Sequence, residues 1–155
     1  MTLSLDSNVI IELMQQRLPH YRSRLREASD AGDQVVVSTI VAQELMLGAH
    51  LSSRPANQLE LLGETLLGME VEPWTWDDAV VTGRLRAERE RMGRRLGAFD
   101  SLIAGQALAR GWIVVTADVR GFWDVNGLSI IDWSDPAGPI DVTGGAARFR
   151  PPSKD

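Results

Sequence analysis

At 155 residues, 44% of them hydrophobic and 24% charged, the chain can build one domain with a real core but not two comfortable ones. The absence of cysteine excludes a disulfide framework, thiolate metal sites and a cysteine nucleophile, and it fits a reducing compartment. A net charge of −5 argues against a protein held to nucleic acid by bulk electrostatics.

In chain order, residues 2–5 read as a short buried strand that stops at Asp6, and a helix follows from about Val9 to Gln16. Pro19 breaks it, and "YRSRLREASDAG" reads as a second helix closed by Gly32. The β-branched run Gln34 to Ser38 is a strand, and "TIVAQELMLGAHL" turns at once to helical spacing. Another helix is expected from about Pro55 to Gly68, capped by Ser53, then a short strand in "MEVEP". Thr75 and Asp78 form a capping-box pattern for a helix running to about Met92. The segment "RMGRRLGA" is a loop, and Phe99 to Arg110 is a helix stopped by Gly111. "WIVVT" and "LSIID" supply the last strands.

Strands alternating with helices imply βαβ units and a mostly parallel sheet of four to five strands, covered on both faces. The expected domain spans residues 1–133. From Ser134 the composition shifts to proline, glycine and charge, so residues 134–155 are expected to be a tail that is flexible or ordered by a partner. Met1 leads directly into the first strand without a basic leader, and no apolar run nears the roughly 20 residues of a membrane span. A cytoplasmic location is expected.

Ligands of an open parallel sheet bind beyond the carboxyl ends of its strands. Asp6 follows the first strand, and Asp118 stands two residues past Thr116 at the end of "WIVVT". Glu44 sits beside an apolar helical stripe, and Asp100 opens the helix after the arginine-rich loop. Each acid has an ordinary alternative. Asp6 and Asp100 suit helix N-caps, Asp118 suits a turn, and Glu44 could reach water from a helix edge. Together in one crevice, four carboxylates repel one another, and a hard divalent cation removes the conflict. His20 and His50 fit no zinc pattern. Carboxylates holding Mg²⁺ or Mn²⁺ suit chemistry on phosphates.

Four blocks carry a resemblance: "LDSNVIIELM", "STIVAQELMLGA", "GRRLGAFDSLIAGQAL" and "IVVTADVRGF…GLSIIDW". In order and spacing they resemble the PIN-domain toxins of the VapC and FitB type, from Leu3 to Trp133. The resemblance implies a PIN-like three-layer α/β/α fold and a Mg²⁺- or Mn²⁺-dependent endoribonuclease, the toxin of a type II toxin–antitoxin pair. Such toxins cut structured RNA, often tRNA or rRNA, and inhibit translation. They are typically homodimers whose antitoxin covers the active site. All four acidic positions of the pattern are filled, by Asp6, Glu44, Asp100 and Asp118. Phe99 is a departure, standing where many relatives are polar, and is expected to affect the pocket wall.

On that resemblance Asp6, Asp100 and Asp118 are expected to hold the metal. Glu44 would position or deprotonate the attacking water, or contribute to a second metal site. Asn8 and Thr116 would orient carboxylates or metal-bound waters, although Asn8 equally suits a helix start and Thr116 a buried strand.

Arginines crowd the stretch from Arg84 to Arg95, and Lys154 is the only lysine among 16 basic residues. Arg84 with Glu88, Arg86 with Glu90 and Glu90 with Arg94 have ion-pair spacing on a solvated helix. Arg94 and Arg95, beyond most of that pairing, are expected to contact RNA phosphates. The amphipathic helices "YRSRLREASDAG" and "NQLELLGETLLG" are candidates for a dimer or antitoxin surface. Trp74 and Trp76 read as packing at a helix start, Trp112 and Trp133 as core or edge residues.

Receiver domains and haloacid-dehalogenase-type phosphatases also gather acids at strand ends. Both resemble families needing a core lysine, which this chain lacks, and the second expects Asp where Asn8 stands. Two further alternatives are a PIN nuclease of RNA processing outside toxin–antitoxin systems and an acidic-crevice module binding a basic peptide.

Overall fold

The computed structural model describes residues 1–141. Its elements follow one another as β1 (Thr2–Leu5), α1 (Ser7–Gln15), α2 (Pro19–Asp30), β2 (Gln34–Ser38), α3 (Thr39–Leu51), α4 (Pro55–Thr65) and β3 (Glu70–Glu72). Then come α5 (Trp76–Arg91), α6 (Ala98–Arg110), β4 (Ile113–Val115), a 3₁₀ turn (Val119–Gly121), β5 (Ser129–Asp132) and β6 (Ile140–Asp141). The strands form one sheet in the order β3-β2-β1-β4-β5-β6. The first five are parallel and β6 is antiparallel.

The chain first winds one way, β1 to β2 to β3, and then crosses back through α5 and α6 to β4 on the other side of β1. Right-handed crossovers in opposite directions put their helices on opposite faces, which gives three layers. The apolar strands fill the middle: Leu5, Val36, Val37, Val114, Val115 and Ile130 are all at most 1% exposed. The reversal of direction between β1 and β4 opens a crevice at their carboxyl ends.

Several local expectations change. The sheet has six strands, because Ile140 and Asp141 pair with Asp132 and Ile131 inside the stretch assigned to the tail. Two residues are too short to carry a periodic signal. The remaining expectation for the tail, from residue 142 onward, lies outside the described residues. Arg54, not Ser53, occupies the cap position of α4, and its side chain makes no capping bond. Trp74 packs as expected, its indole N–H reaching the Leu102 carbonyl at 3.4 Å, whereas Trp76 is 79% exposed.

Asp78 does more than close a helix start. Its Oδ2 accepts from the Thr75 N–H at 2.7 Å and from Arg110 Nη2 at 2.8 Å, and the residue is fully buried. Burial pushes its carboxyl up, but the hydrogen bonds from Arg110 and Thr75 outweigh this and hold it below the ordinary aspartate range. Arg110 also bonds Glu72 at 2.8 Å and lies 4.8 Å over the Trp112 ring, so it ties α5, α6 and β3 together.

Candidate active site

Asp6 leaves β1 where its N–H still donates to the Val115 carbonyl of β4 at 2.9 Å, so the sheet ladder fixes its backbone. The two carboxylate oxygens of Asp6 have different partners. Oδ1 accepts the Ser7 N–H at 2.8 Å, at the start of α1. Oδ2 accepts the Thr116 hydroxyl at 2.8 Å and Asn8 Nδ2 at 3.1 Å. Asn8 also reaches Thr116 Oγ1 with Nδ2 at 3.1 Å, and its Oδ1 accepts the Ala117 N–H at 3.0 Å. The Thr116 oxygen in turn accepts the Asp118 N–H at 3.0 Å. This network clamps the ends of β1 and β4 together and orients the carboxylate of Asp6.

The other acids approach from three further elements. Glu44 lies half-buried on the second turn of α3, Asp100 half-buried on the first turn of α6, and Asp118 exposed just before the 3₁₀ turn. They share one electrostatic environment. Burial pushes the Asp6 carboxyl above its ordinary value, and the charge of Asp118 adds to this, against the hydrogen bonds from Thr116, Ser7 and Asn8. Burial also raises Glu44, helped by Asp6 and Asp100. Asp100 is raised by burial and then by Asp6 and Asp118. Four carboxylates with mutually unfavourable charge therefore meet at one end of the sheet.

Two glycines make the room. A Cβ on Gly121 would stand 3.4 Å from Asp100 Oδ2 and 3.7 Å from Asp118 Oδ2, so both carboxylates face the same small space. A Cβ on Gly97 would stand 3.1 Å from Asp100 Oδ2. Gly97 opens the "GAFD" block, whereas Gly121, three residues after Asp118 in "DVRG", does not stand out in the sequence.

The donor set is all carboxylate oxygen, which suits a hard divalent cation and not zinc or copper. Among the described residues no group of three or more His, Cys, Asp or Glu side chains is arranged as a ready-made metal cage.

A family model described as "PIN domain" matches residues 3–128. The chain belongs to the PIN-domain family. The tRNA(fMet)-specific endonuclease VapC of Salmonella typhimurium is 33% identical over 129 residues, which cover 83% of this chain and 96% of that protein. Its counterpart of the same name from Shigella flexneri is 34% identical, with 84% and 96% covered. Among solved structures, DNA-bound VapBC from Salmonella typhimurium matches with a TM-score of 0.80 at 32% identity, covering 86% of this chain and 98% of that one. VapBC2 from Rickettsia felis, bound to a promoter DNA fragment, gives 0.82 at 25% identity, with 86% and 99% covered.

The acidic crevice of this PIN domain thus gathers Asp6, Glu44, Asp100 and Asp118, with Asn8 and Thr116 in direct contact with Asp6. Arg94 and Arg95 take another course. Arg94 lies 3.6 Å from Asp124 and Arg95 3.4 Å from Glu90, both pairs outside the carboxylate cluster. The pairings expected four residues apart along α5 give way to these and to buried Arg89, which holds Asp124 at 2.9 Å.

Proposed function

We propose that the protein is a metal-dependent endoribonuclease, the toxin of a type II toxin–antitoxin pair. The observation that carries this reading is the convergence of Asp6, Glu44, Asp100 and Asp118 without a basic side chain hydrogen-bonded to any of them among the described residues. The similarity to relatives named as VapC ribonucleases supports RNA as substrate, and tRNA is the first class to test. The VapBC structures support a cognate antitoxin as partner.

In this reading Asp6, Asp100 and Asp118 hold Mg²⁺ or Mn²⁺ and Glu44 takes the proton of the attacking water. When bound, the cation polarises the phosphoryl oxygen, lowers the pKa of water and stabilises the leaving oxygen. Asn8 and Thr116 keep Asp6 pointed into the crevice. Glu44 suits a base because burial and its acidic neighbours raise its proton affinity. Arg94 and Arg95 contact the RNA backbone, a role their exposure of 63% and 80% permits.

An antitoxin would cover the crevice, and the exposed apolar side chains Ile11, Met46, Leu47 and Leu51 on α1 and α3 suit such a covering or a homodimer. No helix among the described residues is long and apolar enough to cross a membrane.

The test is purified protein with Mg²⁺ or Mn²⁺ on total RNA and on isolated tRNA, compared with Asp6→Asn and Asp100→Asn. Cleavage by wild type alone, abolished by chelation, is expected. Equal cutting by the variants, or cutting that survives removal of metal, overturns the mechanism. Growth arrest on expression, relieved by Asp6→Asn and by a neighbouring small gene, tests the toxin role. Arrest that neither relieves argues against it.

A further inference from the structure

A second cavity, of about 290 Å³, lies between the end of α5 and the loop entering α6, lined by Arg86, Arg89, Glu90, Arg95, Leu96 and Ala98. None of the four crevice acids lines it. Arg86, Arg89 and Arg95 line it beside Glu90, with Arg89 already paired to Asp124 from outside the lining, in a chain whose net charge is −5.

Arg89 is the informative residue. It is 5% exposed, and its Nη1 and Nη2 donate to the carbonyl and Oδ1 of Asp124 at 3.1 and 2.9 Å. Its Nε–H is buried without an acceptor. A buried donor on a charged group left unpaired is costly, and native interiors rarely leave one so. An anion in the cavity would supply the missing acceptor once the Arg89 side chain turns to bring Nε to the cavity wall.

The other arginines are free to respond. Arg95 and Glu90 are 80% and 52% exposed at 3.4 Å, a pair weakened by solvent and easily exchanged for a stronger one. Arg86 is exposed on the same wall. The N-terminus of α6 adds to the field, because Ala98 begins that helix and no side chain caps it. Planar guanidinium forks match phosphate oxygens better than a point charge does.

We propose that this cavity binds a backbone phosphate of the RNA next to the one being cut. Ala98 and Asp100 share the first turn of α6 but face different sides of it, two residues apart. A strand crossing that turn would present one phosphate to the carboxylates and a flanking one to the arginines. The anchor answers a physical need, since an acidic crevice by itself repels a polyanion. The identity of the ligand as RNA rests on the ribonuclease reading above, whereas the anion preference rests on the cavity alone.

The test uses the full chain in the cleavage-deficient Asp100→Asn background with Mg²⁺, binding a fluorescently labelled tRNA transcript by anisotropy across a salt series. Arg86→Ala with Arg95→Ala is expected to weaken binding about tenfold and to flatten the salt slope by about 1 for each phosphate the protein no longer neutralises. Glu90→Gln is expected to tighten it. Circular dichroism melts of each variant show whether folding is intact, and because Arg86, Glu90 and Arg95 are exposed, unchanged melts are expected.

Unchanged RNA affinity and salt slope in the double variant overturn the proposal. Titration with inorganic phosphate separates the sources: phosphate binding abolished in the double variant with RNA binding intact assigns the cavity to a free anion and also overturns it. Cleavage by the protein with native Asp100 is scored separately. If that protein fails to cut RNA while binding still depends on Arg86 and Arg95, the nuclease reading falls and the phosphate site stands.

Discussion

The Thr116 hydroxyl donates to Oδ2 of Asp6 at 2.8 Å, joining the carboxyl ends of two neighbouring strands across 110 positions of sequence. That oxygen is the one not used to cap α1. The bond favours the ionised form of a carboxyl that burial pushes the other way. Thr116→Val keeps the shape and removes the donor, so the Asp6 carboxyl should rise further and the acidic limb of the pH–rate profile should move to higher pH. Metal-supported cleavage is expected to fall about 10- to 100-fold, as when a group orienting a metal ligand is removed. A Mg²⁺ titration of activity at several pH values checks this; an unmoved acidic limb would show that the bond does not tune Asp6.

Asp100 makes the opposite kind of prediction, in which removing a site residue stabilises the fold. Its carboxyl is raised by burial and by Asp6 and Asp118, so the folded state binds its proton more tightly than the unfolded state. Stability therefore falls as pH rises from the ordinary carboxylate value through the raised one. Asp100→Asn removes the charge. In metal-free buffer its thermal midpoint should exceed wild type by about 2 °C at neutral pH, an estimate kept small because the residue is only half-buried. The gain should shrink in a second, acidic buffer, because the raised Asp100 carboxyl takes up its proton as pH falls through its folded value and the wild type then loses the same charge. Melts at the two pH values decide it, and a variant melting below wild type at neutral pH would refute the strained-cluster account.

What the sequence could reveal follows from which forces act locally. The strand–helix alternation and the places of the four acids, Asp6 and Asp118 after strands and Glu44 and Asp100 on helices, were legible because periodicity and element ends are properties of neighbouring residues. Partner choice was not. The spacing of Arg86 and Glu90 promised an ordinary helix pair, yet the acid that matters to α5 is Asp124, 35 positions from Arg89 in the chain. Asp78 was visible as a helix cap, but its burial against Arg110 depends on how α6 lies on α5. Gly97 and Gly121 matter for the space beside Asp100, and space has no sequence period.

Gly105 shows the same limit and yields a stability prediction. In an isolated helix, glycine to alanine stabilises by roughly 1 kcal/mol. Here a Cβ at Gly105 would lie 1.8 Å from Thr82 Oγ1 and 2.9 Å from its Cα, because α5 and α6 touch nearly backbone to backbone. The helices must separate to accept the methyl, so Gly105→Ala should destabilise by about 1–3 kcal/mol. Urea denaturation measures the difference, and a stabilised variant would mean that the two helices can part cheaply.

Gly121 tests the active site without touching a charged group. Its φ is not among the positive ones, so alanine meets no backbone penalty there. The added methyl would stand 3.4 Å from Asp100 Oδ2 and 3.7 Å from Asp118 Oδ2, in the space those carboxylates share. Contacts at this range are tolerable for folding, and the melting temperature in metal-free buffer should change by no more than about 2 °C. A hydrated cation needs that space for itself and its waters. Gly121→Ala should therefore weaken Mg²⁺ binding and reduce cleavage, by up to about 100-fold if the carboxylates are displaced by an ångström. Mn²⁺ or Mg²⁺ titration by calorimetry, set beside the melts, separates the two effects. Full metal affinity in the variant would place the cation elsewhere in the crevice, away from the Asp100–Asp118 pair.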